Sequence, residues 1–262
     1  MISIGGFLFR LGAGTLNVLQ DLGQFTLLMG RTISRTFSRR FEWNELFRQT
    51  EYLAVKSTVI ALLTTLSSGM VMALQFAVGL EKFGGKEYVS IVVAIAMLRE
   101  LGPVLTSVVV GGRVGAGIAA EIGSMNVTEQ VDAIRALGAD PIKKLVVPRT
   151  LALLIGLPFL TLLADIVGIL GGCLISWLNL GLSPSTYLSD SFHGVGLQDL
   201  LAGLAKTYFF GFGIAQISCY MGLNTTGGTE GVGQATTKTV VISLIFIFLA
   251  DFILTKAILL IE

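Results

Sequence analysis

Charge is what this 262-residue sequence has least of: 18 Lys and Arg, 17 Asp and Glu, and one histidine. Charged residues make up 13% of the chain against about 25% in soluble domains. Hydrophobic residues make up 53%, and the mean hydropathy is +0.80. A soluble domain is excluded, and the composition is that of an integral membrane protein. The net charge of +1 gives no argument for a nucleic-acid partner. The lone histidine, His193, lies in a polar stretch between apolar runs, which argues against a Ser-His hydrolase within the membrane. Cys173 and Cys219 sit inside apolar runs and read as small buried hydrophobes, not as a disulfide. The N-terminus lacks a basic region followed by a short apolar core, so no cleavable signal peptide is expected. A phosphate-binding G-x-x-x-x-G-K-[ST] loop is also missing. FGGKEY at 83–88 and GGTEGVGQATTK at 227–238 have the wrong spacing. Any ATP used by this protein is therefore expected to be bound by another chain, with no cofactor or metal here.

What the sequence has is long apolar runs. Five of them, near 55–80, 88–112, 148–177, 197–222 and 239–260, are long enough to cross a bilayer as helices. The expected fold is all-α, with five transmembrane helices over 51–262 and a different segment over 1–50. In that first segment Ile4, Phe7, Leu8 and Leu11 repeat at helical spacing, while Arg10, Asn17, Gln20 and Asp21 interrupt them. This pattern predicts an amphipathic helix lying in the membrane interface. Arg31, Arg35, Arg39, Arg40 and Arg48 follow, among Phe37, Phe41, Trp43 and Phe47, as a basic aromatic elbow suited to anionic headgroups.

Basic residues also predict orientation. The elbow and the stretch 113–149, with Arg113, Arg135, Lys143, Lys144 and Arg149, outweigh Lys82 and Lys86 in the loop 81–87. The loop 178–196 carries no Lys or Arg. The positive-inside rule then puts the N-terminus, the loop 113–147 and the loop 223–238 in the cytoplasm, and the C-terminus outside.

Within the stretch 121–149, EIGSMNVTEQVDAIRALGADPIKKLVVPR, Asn126 and Glu129 have capping-box spacing. Gly138 and Asp140-Pro141 supply a stop. An amphipathic helix over 126–138 is expected, with Val131, Ile134 and Leu137 as its apolar stripe and Glu129, Asp132 and Arg135 on its polar face. A mixed polar face on a short helix favours a protein partner over anionic lipid. Glycines at four-residue spacing, Gly111 with Gly115 and Gly168 with Gly172, suit close helix packing within the subunit.

Five ionisable groups fall at similar depth inside the runs: Arg99, Glu100, Asp165, Lys206 and Asp251. A charge at mid-membrane costs about 2.5–3.5 kcal/mol or more, so such groups face the protein interior and pair. Arg99 and Glu100 point about 100° apart on a helix and cannot share one partner. Arg99 is expected to neutralise a buried carboxylate, Asp165 or Asp251, and Glu100 to face a cavity. Met72, Gln75, Phe76, Gly79 and Leu80 share one face of the first span.

The run LRELGPVLTSVVVGGRVGAGIAAEIGSMNVTEQVDAIRALGADPIKKLVVPR closely resembles the MlaE (YrbE) permease family. The likeness continues in LPFLTLLADIVGILGG at 157–172 and ATTKTVVISLIFIFLADFILT at 235–255. It implies the transmembrane subunit of an ABC transporter, working as a homodimer with a cytoplasmic ABC ATPase. It also implies a periplasmic MCE-domain partner, and phospholipid or a related lipid as cargo between the membranes of a Gram-negative envelope, which places the chain in the inner membrane. By the same resemblance, the span-one face together with Arg99, Glu100 and Leu101 borders the lipid pocket, and the helix 126–138 meets the ATPase. A secondary transporter using Arg99, Glu100, Asp165 and Asp251 is the competing reading. It would require internal repeats, which the halves do not show.

Overall fold

In hydrocarbon every backbone N–H and C=O must be satisfied within the chain, so apolar runs of this length fold as helices. The computed structural model describes residues 4–36 and 43–260, with side chains from Leu16 onward except 17–18, 43–45, 47–48 and 52–56. The stripe Ile4, Phe7, Leu8, Leu11 and the elbow residues Arg39, Arg40 and Arg48 lie outside the described side chains.

The described chain is helical. Helix α1 covers Ile4–Thr36 and α2 Trp43–Glu81. The stretch Lys86–Val127 is α3, Gln130–Ala136 is α4, and Ile142–Leu180 is α5. Then come α6, Pro184–Gly194, α7, Leu197–Leu223, and α8, Gly228–Leu259. Among the described residues, five segments are long and apolar enough to span a membrane: α3, α5, α7, α8 and Ser57–Glu81 of α2. The expected number of spans is met.

Their limits are not the expected ones. The second span does not end at residue 112, and 113–127 is no loop. The small residues of AGIAAEIG let α3 continue against α7 and α8. Arg149, placed in that loop by the sequence, is buried in α5, where its guanidinium meets Glu121 of α3 at 2.8 Å. The loop 223–238 is also mostly helix, because α8 begins at Gly228. In the loop 178–196, Ser183 accepts a hydrogen bond from the Thr186 amide at 3.2 Å and Pro184 follows, starting α6.

Span α2 lies along α5, and α7 is packed between α5, α3 and α8. One apolar core joins Val110, Val114 and Ile118 of α3 to Leu153 and Leu157 of α5 and Phe210 and Ile214 of α7. A second joins Ala73 and Ala77 of α2 to Val89, Val93 and Met97 of α3. Exposure differs sharply between spans. The apolar window of α7 is 61% buried, but that of α2 is 22% and that of α8 17%. Spans α2 and α8 therefore present the chain's main faces to lipid or to another chain.

Close approach rests on glycine. A Cβ at Gly69 of α2 would sit 1.9 Å from the Gly168 carbonyl oxygen of α5. A Cβ at Gly203 of α7 would sit 2.0 Å from the Leu98 carbonyl oxygen of α3. Both obstacles are backbone and cannot rotate away. Gly111 and Gly115 pack on α7 and α8, and Gly168 on Met97 and Thr65, so these pairs are helix contacts within one chain. Gly69→Ala should destabilise the protein by about 1–3 kcal/mol, as overpacking does. Gly79→Ala, with nothing within 4 Å of its Cβ, should leave stability unchanged. Thermal unfolding of the detergent-solubilised variants measures both.

Candidate functional site

Pro103 shapes the site first. Proline has no N–H, so the carbonyl four residues back, that of Arg99, loses its helical donor. The turn Met97–Leu101 widens to a π-helix, and the Gly102 amide bonds the Met97 carbonyl, five residues back. The freed Arg99 carbonyl does not stay unpaired. Lys206 of α7 reaches it with Nζ at 3.0 Å.

That ammonium is the hub of a buried cluster. It donates to Glu100 Oε2 and, at 2.6 Å, to Thr255 Oγ1 of α8. It also meets Asp251 Oδ1 at 3.0 Å as an ion pair without aligned hydrogen-bond geometry. The Thr255 hydroxyl donates onward to Glu100 Oε1 at 3.2 Å. The Lys206 side chain is 2% exposed, against 37% for Glu100 and 21% for Asp251. Spans α3, α7 and α8 are therefore tied at one point, with the open edge of the cluster on Glu100.

Arg99 does not pair with Asp165 or Asp251. Its Nη1 donates to Asp199 Oδ1 at 3.0 Å, in the first turn of α7. Asp199 was not among the residues expected, because an acidic residue in a first helical turn reads as an ordinary terminus device. It fills that role as well: its Oδ2 accepts from the Gly196 amide at 2.8 Å. The divergence of Arg99 and Glu100 is as expected, but both partners lie on α7, seven residues apart. Asp251 is taken by Lys206.

Asp165 stands apart from the cluster. It is 3% exposed, its Oδ1 has no hydrogen-bond partner, and it abuts Gly102, where a Cβ would lie 1.6 Å from Oδ1. Equal depth along the membrane does not make it a neighbour, because α5 presents it to the α3 backbone.

On span one, Met72, Phe76 and Leu80 pack with Leu101 against the second apolar core. Gln75 and Gly79 are exposed, and the space around Gly79 is open. The face is thus partly filled from within and open at its amide.

The helix expected over 126–138 is shorter, and its capping box is not formed. Asn126 belongs to α3, and its Nδ2 donates to the Thr225 carbonyl at 3.0 Å. Glu129 precedes α4 in the left-handed region, φ 60°, without a side-chain cap. The stop is as expected: at Gly138, φ 75°, amides 138 and 139 close back on the carbonyls of Arg135 and Ile134. Val131 is fully buried and unavailable to a partner, Ile134 is half-buried, and Leu137 is 85% exposed. Asp132 and Arg135 pair on the surface at 2.7 Å.

Five apolar spans, a buried charge cluster and a protruding short helix describe a multi-pass membrane protein. Comparison with known proteins makes the class that of ABC transporter permeases. A "Probable ABC transporter permease protein" of Rickettsia felis is 40% identical over 245 residues, covering 94% of this chain and 95% of that one. The family model for Permease MlaE matches residues 46–257, and the chain belongs to that family. The intermembrane phospholipid transport system permease protein MlaE of Haemophilus influenzae is 34% identical over 254 residues, 96% of this chain and 97% of that one. The chloroplastic protein TRIGALACTOSYLDIACYLGLYCEROL 1 of Arabidopsis thaliana is 39% identical over 230 residues, 88% of this chain and 66% of its own.

The partners assigned above predict which double variants rescue. Arg99→Ala should cost about 1.5–3 kcal/mol, the range for a hydrogen bond to a charged group. Asp199→Asn should restore part of it, whereas Asp251→Asn should restore none. Lys206→Met should cost more, about 3–5 kcal/mol, by leaving two carboxylates face to face. Folded yield and unfolding temperature of each variant are the measurements.

Proposed function

We propose that this chain is the transmembrane subunit of a homodimeric ABC transporter moving phospholipid between an inner membrane and a periplasmic MCE-domain carrier. That activity would contribute to outer-membrane lipid asymmetry in a Gram-negative envelope. A separate cytoplasmic subunit hydrolyses the ATP. The N-terminus and α4 face the cytoplasm and the C-terminus the periplasm, in keeping with Arg31, Arg35, Lys143 and Lys144 on the α4 side.

One observation carries the reading. The Lys206 cluster turns its open edge, Glu100, outward, while span α2 offers a partly filled apolar face with Gln75 and Gly79 exposed. Two copies meeting through such faces would enclose a cavity with apolar walls and few polar groups, the composition a two-chain lipid requires. The cluster supports this over a secondary transporter, because its charges end on one another and form no path across the membrane. Glu100, Met72, Gln75, Phe76, Gly79, Leu80 and Leu101 line the cavity in this reading, and Arg99 positions the π-turn from behind.

Glu100→Ala tests the cavity. Lys206 keeps Asp251, Thr255 and the Arg99 carbonyl, and Glu100 is 37% exposed, so folded yield should fall less than in Arg99→Ala. Co-purified phospholipid or transport should fall, and Glu100→Gln separates charge from shape. Equal loss of folded protein in Glu100→Ala and Arg99→Ala would make the pair a clamp only.

Coupling is assigned to α4, through Ile134 and the protruding Leu137, with Glu129, Asp132 and Arg135 fixing register. Leu137→Asp should release the ATPase on purification while the permease stays folded and inserted. Full ATPase recovery from both Leu137→Asp and Ile134→Asp would move the coupling surface elsewhere.

A further inference from the structure

Helix α1 is not an isolated interfacial helix. Its Phe25 ring meets Tyr220 edge-on at 5.6 Å, Thr32 bonds Gln216 at 3.2 Å, and Arg35 holds Asp140 at 2.9 Å. It is thus docked on α7 and on the link between α4 and α5. Beneath it lies a cavity with about 420 Å³ of free volume, on the α4 side of the membrane. Leu27, Leu28 and Leu223 form an apolar wall, and Arg31, Arg135 and Asn224 a polar edge.

The charges at that edge are unequally committed. Asp140 is satisfied twice, by Arg35 Nε and by the Ile142 amide at 3.0 Å. Arg135 pairs only with Asp132, and both side chains are more than 60% exposed. Such an exposed pair contributes roughly 0–1 kcal/mol and yields readily to a better anion. Arg31 is exposed at the same edge. Two guanidiniums beside an amide, over an apolar wall, match a phosphate on a glycerol with acyl chains behind it.

We propose that this cavity binds the headgroup phosphate of one anionic phospholipid from the leaflet on the α4 side. The site is separate from the Lys206 cluster, which lies toward the opposite leaflet end of α7. Because Arg135 belongs to α4, the bound lipid touches the helix assigned above to coupling. The inference rests on that reading for its meaning, though not for its test.

The test is lipid selectivity at the cavity. Leu27→Trp supplies a reporter in the full-length chain carrying Trp43→Phe and Trp177→Phe, reconstituted without ATPase or ATP. Brominated phosphatidylglycerol and brominated phosphatidylcholine are then titrated as quenchers. Phosphatidylglycerol should quench with about fivefold tighter apparent affinity, the increment of one arginine at an anionic surface. Arg31→Ala should abolish that preference and Arg31→Lys should retain most of it. Equal quenching by the two lipids, or a preference that survives Arg31→Ala, overturns the proposal. So does loss of preference in millimolar inorganic phosphate at constant ionic strength, which would assign the site to free phosphate. With no ATPase present, failure here leaves the transport reading standing, and failure of coupling leaves this site standing.

Discussion

One ammonium group, that of Lys206, holds this bundle's polar interior together. A buried cation in a membrane span is tolerable only with anionic and carbonyl partners on every side. Here they come from three spans: the Arg99 carbonyl and Glu100 on α3, Asp251 and Thr255 on α8. The carbonyl is available only because Pro103 cannot donate to it. A backbone defect on one helix thus becomes a ligand for a side chain on another. Adjacent on that turn, Arg99 and Glu100 point apart and take separate partners on α7.

Around that fixed point the chain divides into tight and open surfaces. Glycines 69, 168 and 203 bring helix backbones together so closely that those contacts cannot slide without separating. Spans α2 and α8, by contrast, keep most of their apolar surface outward. In the reading proposed above both are used: a rigid frame that carries force from α4, and a face that a second copy or a lipid can occupy. Arg149, buried and bonded to Glu121 and to the Leu145 carbonyl, joins α3 to the start of α5 on the α4 side. It gives the frame a second polar tie, near the helix assigned to coupling.

The number of spans, the family signature and four ionisable residues of the site, Arg99, Glu100, Lys206 and Asp251, were legible in the sequence, because each follows from composition or local spacing. Apolar runs of 20 or more residues admit one backbone solution in a bilayer. A charge inside such a run announces a buried pair without naming the partner. Boundaries were less legible. Residues 113–127 read as loop because Arg113 and Glu121 are charged, yet Arg149 neutralises Glu121 from another helix, and α3 continues. Asn126 and Glu129 have capping-box spacing, but Asn126 is drawn away to the Thr225 carbonyl, and α4 starts without it.

What the sequence by itself determined is an all-helical membrane protein with mid-membrane charges, since hydrophobicity and periodicity act along the chain; the permease class came from the family resemblance. Only the tertiary structure decided which charges meet. Depth along a helix axis is readable from residue counts, but the direction a side chain faces depends on how neighbouring helices rotate and pack. Asp165, level with the cluster, instead turns Oδ1 to the Gly102 backbone. Asp199, nearer the end of its span and absent from the expected set, is the one that holds Arg99.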